Sequence, residues 1–469
     1  MRIKKITVKK LFGIFDYTIP LNMEDRITII HAPNGFGKTI ILKMLYGLFN
    51  GYYRVFRLIP FEEFRVDFDN NASVWVKQEG KKIFLSLFDK LNLSDGSQKL
   101  SKDYESPQKP IKREFSQIAI NLLYEGNSEI KVLTSSDIYD HIKLKEIAEL
   151  ANTRPELENI SPTEWIYIPT GEIFFPDDVL DQFVADRLNV PDWWNEIRKS
   201  VNIQFIETQR LKDFVIELDP TIPINRKRYR TIFSVETFAS DLIENIEKKL
   251  VEFATLSQSL DRTFPSRLVD QMKKQNHNNL TSNWISDELN NLEKKRSELM
   301  EVGLLDKSKD EAFSLPETTS EHTKEVLSVY VQDVKEKLKI FDEIANKIKL
   351  FKNIITKRFQ YKEIIISKET GFHFISSDGN LLPLNALSSG EQHELVMLYQ
   401  LLFKTKPDSL ILIDEPEISL HVAWQVQYLK DLSEITRLAG IDIILATHSP
   451  EIIYDHWDLT VELKAPDSK

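Results

Sequence analysis

The sequence predicts an α/β fold with a mixed sheet, interrupted by a long helical insertion. Over about the first fifty residues, short β-branched runs are followed by a glycine-rich loop and a helix. From about residue 234 to 359, apolar residues recur at spacings of three and four, which is typical of helices that pack on one another. After residue 360 the chain returns to short apolar runs that end in polar residues, as buried strands do.

The composition is that of an ordinary globular chain. Of its 469 residues, 42% are hydrophobic and 28% are charged, and the absence of cysteine excludes disulfides and cysteine-based metal or nucleophile sites. No apolar run approaches the roughly 18 residues that suggest a membrane span, and the amino terminus lacks the apolar core of a signal peptide. We therefore expect a cytoplasmic protein with no membrane partner.

The charge balance bears on nucleic acid as a partner. The formal net charge of −11 argues against a surface built for nonspecific binding, because phosphate backbones attract basic surfaces. A local basic patch is still compatible with that balance, so DNA binding stays open. Asn225-Arg-Lys-Arg-Tyr-Arg230 is the best segment for such contacts, and a solvated loop is its ordinary interpretation.

The amino-terminal elements are predicted in order as strand, strand, strand, loop and helix. An alternating run begins at Ile3, and Tyr17-Thr-Ile-Pro20 is expected to be its hairpin partner. Arg26–His31 is a β-branched run typical of a buried strand. Ile40–Phe49 has helical spacing and is followed by Asn50-Gly51, a helix stop.

We predict three segments along the chain. Residues 1–212 form the amino-terminal part of the α/β domain, with a β-rich, irregular insertion at about 52–200. Residues 213–359 form a helical, coiled-coil-like insertion, and residues 360–469 complete the α/β domain. Further strands are expected at Phe64–Asp69, Ser73–Lys77, Val201–Ile206, Glu363–Ser367 and Phe372–Ser376, and a polar loop at Leu91–Lys109.

The helical insertion carries two apolar stripes. One stripe runs from Leu327 to Ile355 and predicts one continuous helix, while a weaker stripe runs from Leu242 to Leu260 and is expected to close at Pro265. A helical stretch lies between them, from Trp284 to Met300. The pattern favours a short antiparallel coiled coil, with a plain helical bundle as the alternative.

The loop Ala32-Pro-Asn-Gly-Phe-Gly-Lys-Thr39 matches the phosphate-binding P-loop pattern except at its first position, where Ala32 replaces glycine. Its glycines let successive N–H groups face phosphate oxygens, and the following helix adds the positive end of its dipole. Lys38 is expected on the β- and γ-phosphates of a nucleotide, and the Thr39 hydroxyl on Mg²⁺. The predicted nucleotide contacts in this loop are Asn34, Gly35, Phe36, Gly37, Lys38 and Thr39.

Ser409-Leu-Ile-Leu-Ile-Asp-Glu-Pro416 has the form of a Walker B strand. The apolar run carries Asp414 to the carboxyl edge of a sheet, where it is expected to hold Mg²⁺. Glu415 follows directly and is predicted to polarise the attacking water as general base.

Leu387-Ser-Ser-Gly-Glu-Gln392 opens a segment whose apolar residues recur at helical spacing, so a helix is predicted to begin here. A serine hydroxyl and free N–H groups at a helix amino terminus form an anion site, and a helix cap without a ligand is the alternative. Since the P-loop already holds the phosphates of one nucleotide, we expect this second site to serve a nucleotide bound by another subunit. The residues predicted for it are Ser388, Ser389, Gly390 and Glu391.

Ile441-Asp-Ile-Ile-Leu-Ala-Thr-His448 is another buried-strand pattern, and it ends in histidine. A histidine at that edge of a sheet is able to hydrogen-bond a γ-phosphate and respond to its loss. We therefore predict a catalytic switch role for His448, with a structural histidine as the alternative.

These four motifs, in this order, resemble those of ABC-type ATPases of the SMC and RecF group. The segments Glu415–His421 and Thr447–Pro450 look most like the ATPase part of OLD-type proteins. The resemblance implies a P-loop ABC-type ATPase head that uses ATP and Mg²⁺ and sandwiches nucleotides between two copies, as a homodimer or an oligomer of dimers. It also implies that Gln209 is the glutamine that touches the metal, although glutamine is common at loop starts. The implied metal ligands are Thr39, Asp414 and Gln209.

What the switch controls is suggested by the same resemblance. OLD proteins continue into a Toprim nuclease domain, whereas this sequence continues for only about twenty residues beyond His448 and has no HNH pattern. We therefore expect the nuclease or toxin to be a separate Toprim- or HNH-type protein. ATPases of this build resemble those of the anti-phage systems PARIS and Septu, which implies an oligomeric scaffold that holds an effector and responds to a phage protein. A RecF-like repair ATPase that clamps DNA is the alternative.

Overall fold

The computed structural model describes residues 1–79, 117–123, 131–134, 144–154, 156–161, 164–167, 172–174, 176, 179, 191–206, 212–217, 228–273, 281–306 and 320–465. The loop predicted at Leu91–Lys109 and the expected metal ligand Gln209 lie outside these residues. The chain divides into two compact units. The first unit comprises residues 1–208, 406–418 and 425–469, and the second comprises residues 209–405 and 419–424.

The strands and helices follow one another in an α/β order. The described strands are β1 (Ile3–Leu11), β2 (Phe15–Pro20), β3 (Ile27–His31), β4 (Glu63–Phe68), β5 (Ser73–Glu79), β6 (Gln117–Leu123), β7 (Lys131–Thr134), β8 (Leu157–Ser161), β9 (Glu164–Tyr167), β10 (Glu172–Phe174), β11 (Ile203–Ile206), β12 (Lys212–Glu217), β13 (Arg228–Phe233), β14 (Lys362–Ser367), β15 (Gly371–Ser376), β16 (Leu381–Leu382), β17 (Leu410–Asp414), β18 (Asp442–Thr447) and β19 (Thr460–Glu462). The described α-helices are α1 (Lys38–Asn50), α2 (Arg54–Leu58), α3 (Leu144–Thr153), α4 (Asp192–Ser200), α5 (Ser234–Lys273), α6 (Ser282–Glu301), α7 (Glu321–Lys339), α8 (Asp342–Arg358), α9 (Ser389–Tyr399), α10 (Val422–Ala439) and α11 (Pro450–Ile453).

The first unit is built on a parallel five-stranded sheet of order β11-β17-β18-β3-β19. Its central strands are almost entirely buried, which explains their continuous apolar runs. The carboxyl ends of β3, β17 and β18 meet at one edge, because Thr447 pairs with His31 and Asp414 pairs with Ala446. This edge brings the predicted P-loop, Walker B and histidine segments together.

An antiparallel sheet of order β2-β1-β4-β5-β6-β7 completes the main core of this unit. Along β2, buried and exposed residues alternate strictly, as expected for a strand with one face on the core. The predicted hairpin of β1 and β2 is confirmed, with Ile6 opposite Ile19. The predicted first helix is also confirmed as α1, which ends where Gly51 adopts a left-handed conformation.

The second unit contains the helical insertion, and the predicted α/β fold class with such an insertion is confirmed. Helices α5 and α7 run antiparallel, since Asp261 pairs with Lys337 and Arg267 pairs with Asp333. The third helix, α6, lies along α7 and α8. The antiparallel pair that the stripes predicted is therefore present, with α6 packed beside it.

The expectation that the first helix closes at Pro265 is wrong, because α5 continues through it to Lys273. Proline removes one backbone hydrogen bond and displaces the preceding turn. Neighbouring side chains donate to carbonyls there: Ser266 Oγ to the carbonyl of Thr263 at 2.8 Å, and Arg267 Nη2 to that of Leu260 at 2.7 Å. These hydrogen bonds partly compensate for the backbone hydrogen bond that Pro265 cannot donate.

The prediction of one helix from Leu327 to Ile355 is also wrong. The helix breaks between α7 and α8, where the N–H of Phe341 donates to the carbonyl of Leu338 in a tight turn. Phe341 is fully buried and its ring centre lies 5.4 Å from that of Phe253 on α5. The turn therefore seats a large aromatic side chain in the bundle, which the apolar spacing alone does not indicate.

The second unit also holds the sheet β14-β15-β16 and helix α9, which continues as a π-helix over Gln400–Lys404. The Tyr399 hydroxyl on α9 donates to Oδ2 of Asp241 on α5 at 2.6 Å. Among the described residues, no helix is both long and apolar enough to cross a lipid bilayer.

Candidate nucleotide-binding site

The predicted P-loop lies between β3 and α1, at the carboxyl edge of the parallel sheet. Gly35 and Gly37 have φ angles of +89° and +87°, in the left-handed region that glycine adopts without strain. Gly37 caps α1 without a side-chain hydrogen bond, so the N–H groups of the first turn face outward without a cap. A Cβ atom at Gly37 would meet Leu11 Cδ2 at 2.7 Å, whereas one at Gly35 would meet nothing within 4 Å. The loop therefore offers backbone donors and space for an anion.

Lys38 is almost completely buried, with 4% of its surface exposed. Its ammonium group donates to the carbonyls of Ala32 at 2.7 Å and Pro33 at 3.2 Å, and to Oδ1 of Asn34 at 3.5 Å. The hydrogen-bond acceptors of Lys38 in the described part of the chain are all neutral. A buried cation without a hydrogen-bonded anion gains strongly from an anionic ligand, which is what a phosphate group supplies.

The departure at Ala32 is accommodated by the backbone. Ala32 is fully buried and does not lie in the left-handed region, so a side chain at this position carries no backbone strain. The loop is further fastened at Phe36, whose carbonyl accepts a hydrogen bond from the Tyr17 hydroxyl at 3.1 Å. Burial raises the pKa of Tyr17 to about 12, so this hydroxyl stays protonated and remains a donor at neutral pH.

Asp414 ends β17 beside the P-loop and accepts a hydrogen bond from the Thr39 side chain. Burial raises the pKa of the Asp414 carboxyl, and the adjacent Glu415 raises it as well, while Thr39, Lys43 and Lys38 act in the opposite direction. A buried carboxylate beside a threonine hydroxyl is an oxygen donor set that suits Mg²⁺. Thr39 and Asp414 therefore fit the metal that the P-loop implies.

Glu415 has a φ angle of +44°, which is unusual for a residue with a side chain. Its N–H donates to the carbonyl of Ala446 on β18 at 2.8 Å, so the strained turn is held in place by the neighbouring strand. Strained backbone of this kind concentrates at functional sites, where the surrounding structure imposes it. Glu415 Oε1 lies 3.9 Å from Nδ1 of His448, so the predicted base and the predicted switch residue face one another.

The structure adds one residue that the sequence reasoning missed. Oε1 of Glu417 accepts hydrogen bonds from the Thr447 hydroxyl at 2.7 Å and from the His448 N–H at 2.9 Å. The same oxygen lies 2.9 Å from Nδ1 of His448. The only signal in the sequence is the second glutamate of Glu415-Pro-Glu417, whose partners become visible only once β17 and β18 are paired.

The predicted serine–glycine segment lies in the second unit, at the amino terminus of α9. Ser388 is the N-cap, and its Oγ accepts from the Glu391 N–H, while Oε2 of Glu391 accepts from both N and Oγ of Ser388 at 2.9 Å. Lys362 donates to both oxygens of Glu391, at 2.6 and 2.7 Å. The hydroxyl of Ser388 and the carboxylate of Glu391 are thus engaged within the cap.

Ser388, Ser389 and Gly390 are all accessible to solvent at the start of α9. Ser389 is exposed and Gly390 is half-exposed at the tip of α9. A Cβ atom at Gly390 would lie 3.4 Å from the Ser419 carbonyl oxygen, which is an ordinary van der Waals contact. Of the two serines that the sequence proposed, Ser389 is therefore the one whose hydroxyl faces solvent without a role in the cap.

Three aromatic residues, Phe12, Phe15 and Tyr17, precede the P-loop in the sequence. Phe15 and Tyr17 are buried and stack on each other with ring centres 5.5 Å apart. Phe12 is the more exposed of the three. Phe15 and Tyr17 both contact Phe36 of the P-loop, and because they are buried they do not present a free ring face to a base.

Within the first unit, one edge of one sheet thus combines a phosphate loop, a buried lysine, an Asp–Thr pair, a strained glutamate and a histidine. Backbone donors with a buried ammonium group are suited to hold phosphates. A carboxylate beside them is suited to accept a proton from water during transfer of a phosphoryl group. The arrangement has the parts that phosphoryl transfer to water needs.

The chain matches a family model and is similar to solved structures. A family model described as an AAA ATPase domain matches residues 1–453. Among solved structures, the chain is similar to the Smc head domain with an extended coiled coil from Pyrococcus furiosus, bound to the C-terminal domain of ScpA, with 14% identity, a TM-score of 0.33 and coverage of 99% of this chain and 94% of that chain. It is also similar to the SMC head domain from Thermotoga maritima, with 12% identity, a TM-score of 0.31 and coverage of 98% and 94%. No curated protein matches the sequence significantly.

Proposed function

The chain belongs to the AAA ATPase domain family, and on that premise we propose that it binds ATP with Mg²⁺ and hydrolyses the ATP to ADP and phosphate. The single observation that carries this proposal is the contact between Thr39 and Asp414 beside a lysine that is 4% exposed. That contact joins the P-loop to the end of the strand that carries Asp414 and is followed by Glu415, as hydrolysis of a nucleoside triphosphate requires.

In this proposal each residue at the sheet edge has a separate task. Lys38 and the N–H groups after Gly35 and Gly37 hold the phosphates. Thr39 and Asp414 hold Mg²⁺, which neutralises phosphate charge when bound. Glu415 takes a proton from the attacking water, and His448 contacts the γ-phosphate from the neighbouring strand.

We further propose that ATP joins two copies of the chain. The exposed hydroxyl of Ser389 and the amino end of α9 support this idea, because they offer an anion site whose own cap is already satisfied by Ser388 and Glu391. One copy would hold the nucleotide through Lys38, and the second copy would contact the same γ-phosphate through Ser389 and Gly390. The protein would then act as a switch that assembles with ATP and separates after hydrolysis.

The biological role proposed for the switch is that of a sensor and scaffold ATPase in anti-phage defence, which controls a separate nuclease or toxin. The proposal rests on the motif resemblance, and the identity of the effector would be tested by co-purification from cells that express both proteins. DNA clamping stays the alternative. Of the basic segment at 225–230, Arg226 and Lys227 lie outside the described residues, and Arg228 begins strand β13, which pairs with β12.

The experiment that tests the ATPase proposal is phosphate release from ATP by the purified full-length chain, compared with Lys38→Ala. We expect release by the wild-type protein that depends on Mg²⁺, and loss of both release and nucleotide binding in the variant. Equal release by the two proteins would contradict the proposal. Lys430→Ala is a matched control, because Lys430 is an exposed lysine on α10, outside the phosphate loop and the strand that ends in Asp414.

A further inference from the structure

The side chain of Glu417 joins the segment after β17 to the segment after β18. Its side chain is only 8% exposed, and one oxygen, Oε1, takes donors from two consecutive residues, Thr447 and His448. A buried carboxylate needs hydrogen bonds in place of the water it has lost. Glu417 therefore holds its donors, the Thr447 hydroxyl and the His448 N–H, in fixed positions.

Two further hydrogen bonds hold the same stretch. The Ser449 N–H donates to the Thr447 hydroxyl at 3.0 Å, and the Ser449 hydroxyl donates to Oε1 of Gln425 at 2.8 Å. Thr447, Ser449 and Gln425 are all buried, with 0%, 6% and 7% of their surface exposed. The backbone on both sides of His448 is therefore rigidly placed, while the His448 side chain itself is 44% exposed.

The contact at the imidazole decides which nitrogen is available. With Nδ1 of His448 2.9 Å from a carboxylate oxygen, the proton of a neutral ring is favoured on Nδ1. The other ring nitrogen, Nε2, is then the one left for a ligand. A carboxylate behind a histidine orients the ring, so Glu417 determines the direction in which Nε2 points.

We infer that Glu417 is a positioning residue for the ATPase reaction, which fixes the backbone and ring orientation of His448 and thereby ties the histidine to the Asp414-Glu415 segment. This inference rests on the proposed function and names a residue that the motif pattern does not assign. Glu417 follows Glu415 by two residues. A movement of Glu415 is therefore transmitted to His448 through the hydrogen-bonded side chain of Glu417. Glu417 acts through His448 and does not need to touch the nucleotide.

The test is a double-mutant cycle on the full-length chain with Glu417→Ala, His448→Ala and the combined variant. We expect kcat to fall by about 100-fold in Glu417→Ala, because a misplaced group costs that order of rate, with KM for ATP unchanged. The double variant should be no slower than His448→Ala alone, since Glu417 acts through the histidine. Asp458→Ala, which removes an exposed carboxylate of the same unit, is the control.

The outcomes separate a positioning role from a structural one. Glu417→Gln keeps an acceptor for the Thr447 hydroxyl and the His448 N–H, so it should recover part of kcat, and it serves in place of Glu417→Ala if that variant does not fold. Multiplicative losses in the double variant, or an unchanged kcat in His448→Ala, would overturn the inference. Failure of the ATPase proposal itself is distinct, because it would appear as equal hydrolysis in the wild-type protein and Lys38→Ala.

Discussion

Glu415 Oε1 lies 3.9 Å from Nδ1 of His448, although the two residues follow different strands of the parallel sheet. The pairing of β17 with β18 creates this relationship, and the φ angle of +44° at Glu415 turns its side chain out of the strand direction. A base and a histidine that share one edge are able to act on the same phosphate. The relationship makes Glu415 the first residue to test.

Replacing Glu415 by glutamine removes the proton acceptor and keeps the size of the side chain. We expect hydrolysis to fall by at least about 100-fold, the usual contribution of a general base, while ATP binding is retained. Phosphate release and binding of a fluorescent ATP analogue measure the two effects. Hydrolysis at the wild-type rate would show that another group activates the water.

The glycines of the P-loop provide a matched pair of substitutions. Both Gly35→Ala and Gly37→Ala force alanine into the left-handed region, at a cost of roughly 1–2 kcal/mol. Only Gly37→Ala also brings a Cβ atom to 2.7 Å from Leu11. In urea unfolding we therefore expect Gly37→Ala to lose more stability than Gly35→Ala, and Ala32→Gly to change little. Equal losses at the two glycines would mean that Leu11 moves aside without cost.

The capping box of α9 predicts a pH-dependent stability. Burial raises the pKa of Glu391, but hydrogen bonds from Lys362 and from Ser388 lower it by more, so the carboxyl titrates below its ordinary range. A depressed pKa contributes stability above the unfolded-state value of about 4.3, and that contribution is lost as the pH falls through the folded-state value. We expect Glu391→Gln to lower the free energy of unfolding by about 1 kcal/mol at pH 7.

Urea unfolding of the wild-type protein and Glu391→Gln across pH 3 to 7 would measure this effect, where we expect the difference to shrink at about pH 4 and below. Glu363→Gln is the control, because Glu363 is an exposed glutamate on the neighbouring strand β14. A difference that stays constant over the whole range would show that the ionised carboxylate makes no contribution.

The sequence predicts the elements whose signals are local. The glycine spacing between β3 and α1 and the apolar runs of β17 and β18 each lie within one short segment, so the sequence alone identifies these segments. The hydrogen bonds of Glu417 could not be found this way, because its partners lie thirty residues along the chain and are brought close only by strand pairing. The sequence locates the parts of the site, and the sheet decides which of them touch.

The errors in the helical insertion have the same origin. The sequence predicts that Pro265 ends α5, but Ser266 and Arg267 supply hydrogen bonds to the carbonyls around it. The break before α8 depends on the burial of Phe341 against Phe253, nearly ninety positions earlier in the sequence. Helical spacing reports which face of a helix is apolar, but it does not report whether a single turn is interrupted to seat one side chain.

The central claim is that ATP joins two copies through Lys38 of one and Ser389 of the other, and the mass of Glu415→Gln in solution with and without ATP tests it most directly. Light scattering should show that ATP at least doubles the mass, and that adding Ser389→Arg abolishes the increase without abolishing ATP binding. Ser259→Arg, at an exposed serine on α5, is the matched control and should assemble normally. A mass that is the same with and without ATP, or full assembly of the Ser389→Arg protein, would contradict the claim.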